Sequence, residues 1–351
     1  MLKFVAGATG YLDHCILEYG GGVSEGAEVL VDRGADVVLH ECAVTRSNGD
    51  GLRIRGSVNT GALRFLAEGG VFGQNAGRGM RVDGSVSATE VQVTGSTFEG
   101  NAIGVEMTEV SSAVQLSGNV FKPHSGVAVK GGINAVAHSL LGQPVADDFS
   151  GMTTTYTGIE IAGGIANSPG GQLSPDGSAP YRVSSDVSVG EGFALTVSPG
   201  TTLLFDSGRW LWVDGVLNVA GQPSSSVLMT ASSASRQPGS WPGMCISYTG
   251  QVNMSYCTVE NGGGSRLQAM VEQRLGGALM MDHCTLRRAA GAALYLRGDS
   301  GVGTARANLA SCIVTETLWE DAREYYTRLV MGSHRTLWMA TAAGFKVFRM
   351  P

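Results

Sequence analysis

Charge is scarce in this chain. Of 351 residues only 15% are Asp, Glu, Lys or Arg, where a soluble domain usually has about a quarter. The 24 basic and 30 acidic side chains leave a formal charge of −6. No run of Lys or Arg forms a basic stripe, which argues against nucleic acid as a partner. No apolar stretch approaches the roughly 20 residues of a membrane span. The opening Met1-Leu2-Lys3-Phe4-Val5-Ala6-Gly7 has one positive charge and no sustained apolar run, so it does not read as a secretion signal. The chain is expected to begin inside a repeat, as a truncated reading would. Strong helix formers are few, and no Cys-x-x-Cys pair exists to suggest a zinc ribbon or redox motif.

Glycine is abundant instead, with 52 residues, about twice the usual share. Hydrophobic residues reach 43%, enough for a core and against global disorder. Glycine, valine, serine and threonine together point to short strands separated by frequent turns.

An internal repeat organises these residues. Cys15, Cys42, Cys257, Cys284 and Cys312 each stand two positions before an apolar residue: Leu17, Val44, Val259, Leu286 and Val314. Phe72, Phe98 and Phe121 hold the apolar place where Gly70, Ser96 and Asn119 replace the cysteine. The step is 23 to 28 residues throughout. Each unit then passes a Gly/Asn turn into an alternating strand, as in Gly49-Asp50-Gly51-Leu52-Arg53-Ile54 and Gly77-Arg78-Gly79-Met80-Arg81-Val82. Three short strands with their turns fill one coil of that length. The expected fold is an all-β, right-handed, single-stranded parallel β-helix.

A longer repeat lies above this one. A shift of 242 places residues 15–72 on 257–314 without a gap. Cys15 meets Cys257, Glu18 meets Glu260, Gly34 meets Gly276, Arg46 meets Arg288 and Gly49 meets Gly291. The expected organisation is a partial first copy of the module over 1–166, a Gly/Ser/Pro-rich junction over 167–180 and a second copy over 181–314. Residues 315–351 are expected to be a helical or irregular cap. Leu318, Trp319, Ala322, Tyr325, Tyr326, Leu329 and Val330 suit an amphipathic helix, and an open solenoid end needs covering.

Four segments carry a family resemblance: Leu12-Asp13-His14-Cys15-Ile16-Leu17-Glu18-Tyr19-Gly20-Gly21, Val120-Phe121, Leu195-Thr196-Val197-Ser198-Pro199-Gly200 and Gly239-Ser240-Trp241-Pro242-Gly243-Met244. With them the chain resembles the pectate-lyase-like superfamily of right-handed parallel β-helices. More narrowly, it resembles the repeat regions of large secreted bacterial proteins. The resemblance spans roughly residues 10–314. It implies an extracellular or cell-surface setting and leaves activity open, because lyases, glycosidases, phage tailspikes and adhesins share such coils.

Candidate residues follow. The cysteines, with Phe72, Phe98 and Phe121, are expected to stack inside the coil as core, the thiols acting as small hydrophobes. No metal ligands are assigned, since His14 and His283 precede Cys15 and Cys284 and so face the opposite side. Trp210 and Trp212 share one strand face, and with Trp241 they are candidate carbohydrate-stacking residues. Arg78 and Arg81, beside Arg53 and Arg55, would form a basic strip suited to an acidic glycan. Asp147-Asp148 offers paired carboxylates like those of polygalacturonases, which this fold resembles. However, that family's other motifs are missing or out of order, so a solvated loop pair is the better reading, and Asp147, Asp148, Arg53 and Arg55 stand only as weak catalytic candidates. Gly22-Val23-Ser24-Glu25-Gly26 matches a serine-hydrolase pattern but lacks the strand-to-helix elbow it needs.

The leading expectation is a non-catalytic extracellular stalk or adhesin-like module that binds polysaccharide or a cell-surface glycan and joins further copies of itself. The residues imply no cofactor. A polysaccharide lyase, for which Ca²⁺ would be the cofactor, or a glycoside hydrolase is the alternative. A tailspike-like fragment is a weaker one.

Overall fold

Short strands of a few residues can stack in register only if the chain turns sharply and identically in every coil. In the computed structural model of this protein, left-handed residues make those turns. The structure describes residues 1–22, 26–56, 63–86, 90–108, 113–152, 158–177, 179–232, 236–264, 267, 269–274, 276–296 and 306–315, and the strands Arg328–Leu329, Thr336–Thr341 and Gly344–Arg349. The fold is a parallel β-solenoid with almost no helix. It divides into two compact units. The first comprises Met1–Ala162 with Pro175–Pro180, and the second Gly163–Ser174 with Tyr181–Pro351.

In the first unit each coil visits three faces. The first face runs Leu2–Phe4, Ala27–Asp32, Asp50–Arg55, Arg78–Asp83, Ile103–Met107, Val129–Gly131 and Ile159–Ile161. The second runs Thr9–Asp13, Asp36–His40, Arg64–Glu68, Val91–Thr94, Gln115–Ser117 and Leu140–Leu141. The third runs Ile16–Glu18, Ala43–Thr45, Val71–Gly73, Thr97–Glu99 and Val120–Phe121. The only helix among the described residues, Ile133–His138, is inserted within one coil and buries five of its six residues. No helix among the described residues is long and apolar enough to cross a membrane.

The corner between the second and third faces places His14, Glu41, Gly69, Gly95 and Gly118 at φ between 49° and 66°. The corner between the third and first faces uses Tyr19, Arg46, Gln74 and Gly100 in the same way. Glycine enters this region freely, whereas another residue pays about 1–2 kcal/mol. Where the residue after a corner carries a polar side chain, it points inward and accepts a hydrogen bond from the coil before it; Gly70 and Gly20 are the corners without one. Cys42 Sγ accepts from the Cys15 amide at 3.4 Å, Ser96 Oγ from Gly70 at 3.1 Å, and Asn119 Oδ1 from Ser96 at 3.0 Å. Asp147 Oδ1 accepts from Asn119 at 2.7 Å and Asp176 Oδ1 from Asp147 at 2.9 Å. A second ladder runs Ser47, Asn75, Asn101, His124, each accepting the amide of the one before it at 3.0 to 3.3 Å. Buried amides must find acceptors, and these ladders supply them where the strands are interrupted.

Apolar side chains fill the interior. Phe72, Phe98, Phe121 and Phe149 stack face to face at 5.1, 5.1 and 4.9 Å between ring centres. Cys42, Cys257 and Cys284 are buried, Cys15 and Cys312 half-buried, and all are free thiols. They do more than fill space. The Cys42, Cys284 and Cys312 thiols lie 3.2 to 3.3 Å from the carbonyl two residues back, as a serine hydroxyl would.

The second unit repeats the plan and, in places, the positions. Strands beginning at Ala27, Asp36, Ala43, Asp50, Arg64 and Val71 have counterparts beginning 242 residues later, at Ala269, Ala278, Thr285, Ala292, Arg306 and Ile313. The left-handed residues His14, Tyr19, Gly21, Gly34, Glu41, Arg46 and Gly69 have left-handed counterparts at the same offset: Tyr256, Asn261, Gly263, Gly276, His283, Arg288 and Ser311. The tail differs from the expected helical cap where it is described. Arg328–Leu329 continues a solenoid sheet, and Thr336–Thr341 pairs antiparallel with Gly344–Arg349. The remainder of Leu318–Val330 lies outside the described residues.

The ladder of the first unit ends on two buried carboxylates. Burial raises both Asp147 and Asp176, and the charge of Asp147 helps push Asp176 up to about 7. Asp147 Oδ1 accepts from the Asn119 side-chain amide at 3.0 Å, whereas Asp147 Oδ2 and Asp176 Oδ2 are buried with no donor, so a proton shared between the two carboxyls would satisfy both. An aspartate whose folded pKa exceeds its unfolded value of about 3.9 stabilises the fold most below that value, and this stability is lost as pH rises to about 7. His124 acts oppositely. Burial pushes it down to about 4, so its contribution is restored as pH rises from there towards about 6.5. Comparison with a variant separates the two. Asp176→Asn supplies a permanent donor, so denaturant unfolding should show it more stable than the wild type at pH 8 by on the order of 1–3 kcal/mol, with no gain at pH 4. Equal destabilisation at both pH values would refute the shared proton. Phe98→Ala, which breaks the aromatic column, should cost about 3–5 kcal/mol in the same assay.

Candidate functional site

Strand Trp210–Val213 alternates, burying Leu211 and Val213 and turning both indoles outward. Trp210 and Trp212 are half-buried, their ring centres 5.2 Å apart and tilted by 58°. The Trp212 indole N–H donates to Asp214 at 2.8 Å. Arg274, two coils further on, lays its guanidinium 4.7 Å from the centre of the Trp212 ring and pairs with Glu272 at 3.1 Å. The outward row runs Ser188, Trp212, Cys245, Glu272, Tyr295 across successive coils, with Gly243 beside Trp210. Cys245 is sealed beneath this layer. Burial pushes its thiol up to about 12, with Arg274 opposing and Glu272 and Asp214 reinforcing. Fixed aromatic faces beside charged hydrogen-bonding groups can hold a ligand with an apolar face and a polar rim, as a sugar ring has.

Trp241 is a correction. It is fully buried, stacks on Phe205 at 4.2 Å and donates its N–H to the Glu260 carbonyl at 2.9 Å. Named with Trp210 and Trp212 as a candidate carbohydrate-stacking residue, it lies in the core and offers no surface to a glycan.

The four arginines do come together on one face of the first unit, with Arg53 and Arg81 directly in register. Each is matched to a carboxylate. Arg53 and Arg81 lie at 2.6 and 2.7 Å from Asp83, Arg55 at 2.8 Å from Asp32, and Arg78 at 2.6 Å from Glu106 and 3.5 Å from Asp50. Burial raises the Asp83 pKa, but the hydrogen bonds from Thr108, Arg81 and Arg53 outweigh it and leave the group below its usual value. The strip is therefore a mosaic of alternating sign rather than a basic groove.

Asp147 and Asp148, adjacent in the chain, have opposite environments. Asp147 is buried in the ladder, whereas Asp148 is exposed and accepts the Ser150 amide at 2.8 Å. The pair is thus neither a facing carboxylate dyad nor a wholly solvated loop pair. The Ser24 of the serine-hydrolase pattern lies outside the described residues.

A second surface cluster lies on the first unit. His14 and His40 each place Nδ1 against Asp13 Oδ1, at 2.8 and 2.7 Å, and His14 Nε2 lies 2.6 Å from Glu41 Oε2. The hydrogen bond between Asp13 and His40 lowers the carboxyl pKa and raises that of the imidazole. One ligand atom from each of Asp13, His14 and His40 fits within a 4.8 Å span. The alternation argument that set His14 apart from the cysteines holds, but it overlooked His40. A signal was present: Asp13 and His40 are 27 residues apart, the same coil step as Cys15 and Cys42. Asp176, 29 residues after Asp147, was missed in the same way, whereas nothing in the sequence marked Arg274 as the partner of Trp212.

No protein-family model, curated protein or solved structure matches this chain.

The thiols give a direct check on the placements. Cys312, whose pKa is lowered by the neighbouring Cys284 thiol, and Cys15 are the half-buried ones. Brief alkylation of the native protein at pH 8, read by peptide mass spectrometry, should label these two and spare Cys42, Cys245, Cys257 and Cys284. Early labelling of Cys245 would show that the layer over it is open.

Proposed function

We propose that this chain is a non-catalytic β-helix module of an extracellular or cell-surface protein, akin to the pectate-lyase-like β-helices, and that it binds polysaccharide through Trp210 and Trp212. The carrying observation is the pair of outward indoles held 5.2 Å apart on a sheet whose inner residues are locked in the core. Asp214 and Arg274 fix Trp212 from two sides, so little rotamer freedom remains to be lost on binding. Burial that pushes the Cys245 and Cys257 thiols up to about 12 disfavours the thiolate that oxidation needs, which suits these two to an oxidising setting. The balanced arginine mosaic turns the reading away from a uronate-specific groove and towards stacking as the main source of affinity.

Affinity electrophoresis of the full chain against neutral and uronate-containing polysaccharides tests this. Retardation by at least one glycan is expected, and Trp210→Ala with Trp212→Ala should weaken it about 10- to 100-fold, each tenfold being about 1.4 kcal/mol. Retention of full binding by the double variant would remove the platform. Unsaturated, ultraviolet-absorbing products would instead identify a lyase, and new reducing ends a hydrolase.

A further inference from the structure

We propose that Asp13, His14 and His40 form a binding site for a divalent transition-metal ion of the zinc class, with Glu41 orienting His14. The site lies wholly in the first unit and is independent of the glycan reading.

The backbone builds the constellation from two consecutive coils. Asp13 and His40 are register partners on neighbouring parallel strands, so their side chains leave the sheet on the same side, about 4.8 Å apart at the backbone. His14 and Glu41 occupy the left-handed corner that follows, at φ 53° and 49°. Three other coils of this unit use glycine there, at Gly69, Gly95 and Gly118. The two coils that forgo glycine are those that place an imidazole and a carboxylate beside Asp13 and His40.

The donor set selects the ion. Two imidazole nitrogens and one carboxylate oxygen suit Zn²⁺, Co²⁺, Ni²⁺ or Cu²⁺, whereas Ca²⁺ and Mg²⁺ favour all-oxygen sites. A tetrahedral centre with bonds of about 2.0–2.1 Å sets its donors about 3.3 Å apart. The Nδ1 atoms of His14 and His40 stand 2.8 and 2.7 Å from Asp13 Oδ1, so a small outward rotation of side chains that are 63%, 35% and 46% exposed admits the ion. With Nδ1 of His14 on the metal, its Nε2–H donates to Glu41 at 2.6 Å, the carboxylate–histidine arrangement that fixes the tautomer of a metal ligand. The fourth position faces solvent.

The second unit supplies an internal control. The same four positions, 242 residues on, hold Ser255, Tyr256, Asp282 and His283. There His283 pairs with Asp282 at 2.9 Å and stacks on Tyr256 at 4.7 Å; both imidazole positions are replaced, and the one histidine stands at the place of Glu41.

Titration calorimetry of the full chain with zinc chloride tests the proposal, together with visible spectra of the protein loaded with Co²⁺ alone. The expected result is one Zn²⁺ per chain and a Co²⁺ spectrum of nitrogen/oxygen coordination without thiolate charge transfer. His40→Ala and His14→Ala should each abolish stoichiometric binding, and Glu41→Gln should weaken it about 10-fold. His283→Ala should change nothing. All these side chains are on the surface, and an unchanged far-ultraviolet circular dichroism spectrum confirms that each variant folds. The proposal is overturned if the wild type takes up no zinc, if binding survives His14→Ala with His40→Ala, if it follows His283, or if Co²⁺ reports thiolate ligands.

Discussion

The constraint on which this structure depends is the two-residue corner: one residue in the left-handed region, then one whose side chain points inward and accepts an amide from the neighbouring coil. Without the first, a strand of two to six residues cannot turn to the next face. The second takes up an amide that the broken β-ladder leaves at the turn, in every coil of that column but the one that places Gly70 there. The second position is held by cysteine, serine, asparagine and aspartate at different coils. All four offer a short acceptor at one fixed reach. That shared property explains why free cysteines recur at coil spacing.

The same constraint explains the 242-residue repeat. Seven left-handed residues recur at that offset, although only Gly21, Gly34 and Arg46 among them keep their identity. Tyr19 becomes Asn261 and Gly69 becomes Ser311, and the backbone holds its conformation. Backbone geometry thus outlasts side-chain identity wherever the register of the coils depends on it.

Much of the fold was legible because its period is written in residues that the solenoid cannot do without. Cys15, Cys42, Phe72, Phe98 and Phe121 mark the corner and the inner strand position, and their spacing is the coil itself. The ladder was not legible as a ladder, since serine, asparagine and aspartate in a turn read equally well as solvated loop. Asp147 shows this: it sits in a Pro/Asp-rich segment and becomes buried only because Asn119 and Asp176 bracket it. Trp241 was misplaced because nothing in the residues around it shows its partners in the core, the Phe205 ring and the Glu260 carbonyl. The surface clusters were less legible the further apart in sequence their members lie. Trp210 and Trp212 share a strand and were found, whereas Arg274 lies two coils away and was not.

Conserved corners on changing faces divide the labour between interior and exterior. The inner side of the His14 and Tyr256 corners is nearly the same, a cysteine followed by an apolar strand residue, while the outer side carries an Asp/His/His/Glu group in one unit and a Ser/Tyr/Asp/His group in the other. Since the inner side meets the packing and hydrogen-bond demands of the coil, the outer side is free of them. Side chains placed there are nonetheless held by a rigid sheet at a spacing set by strand separation, which suits preorganised recognition. Two outward indoles fixed by Asp214 and Arg274, and two imidazoles meeting on one carboxylate, are different uses of that one provision. Binding chemistry in this chain is therefore to be sought where residues one coil apart converge on the outside, whatever their distance in sequence.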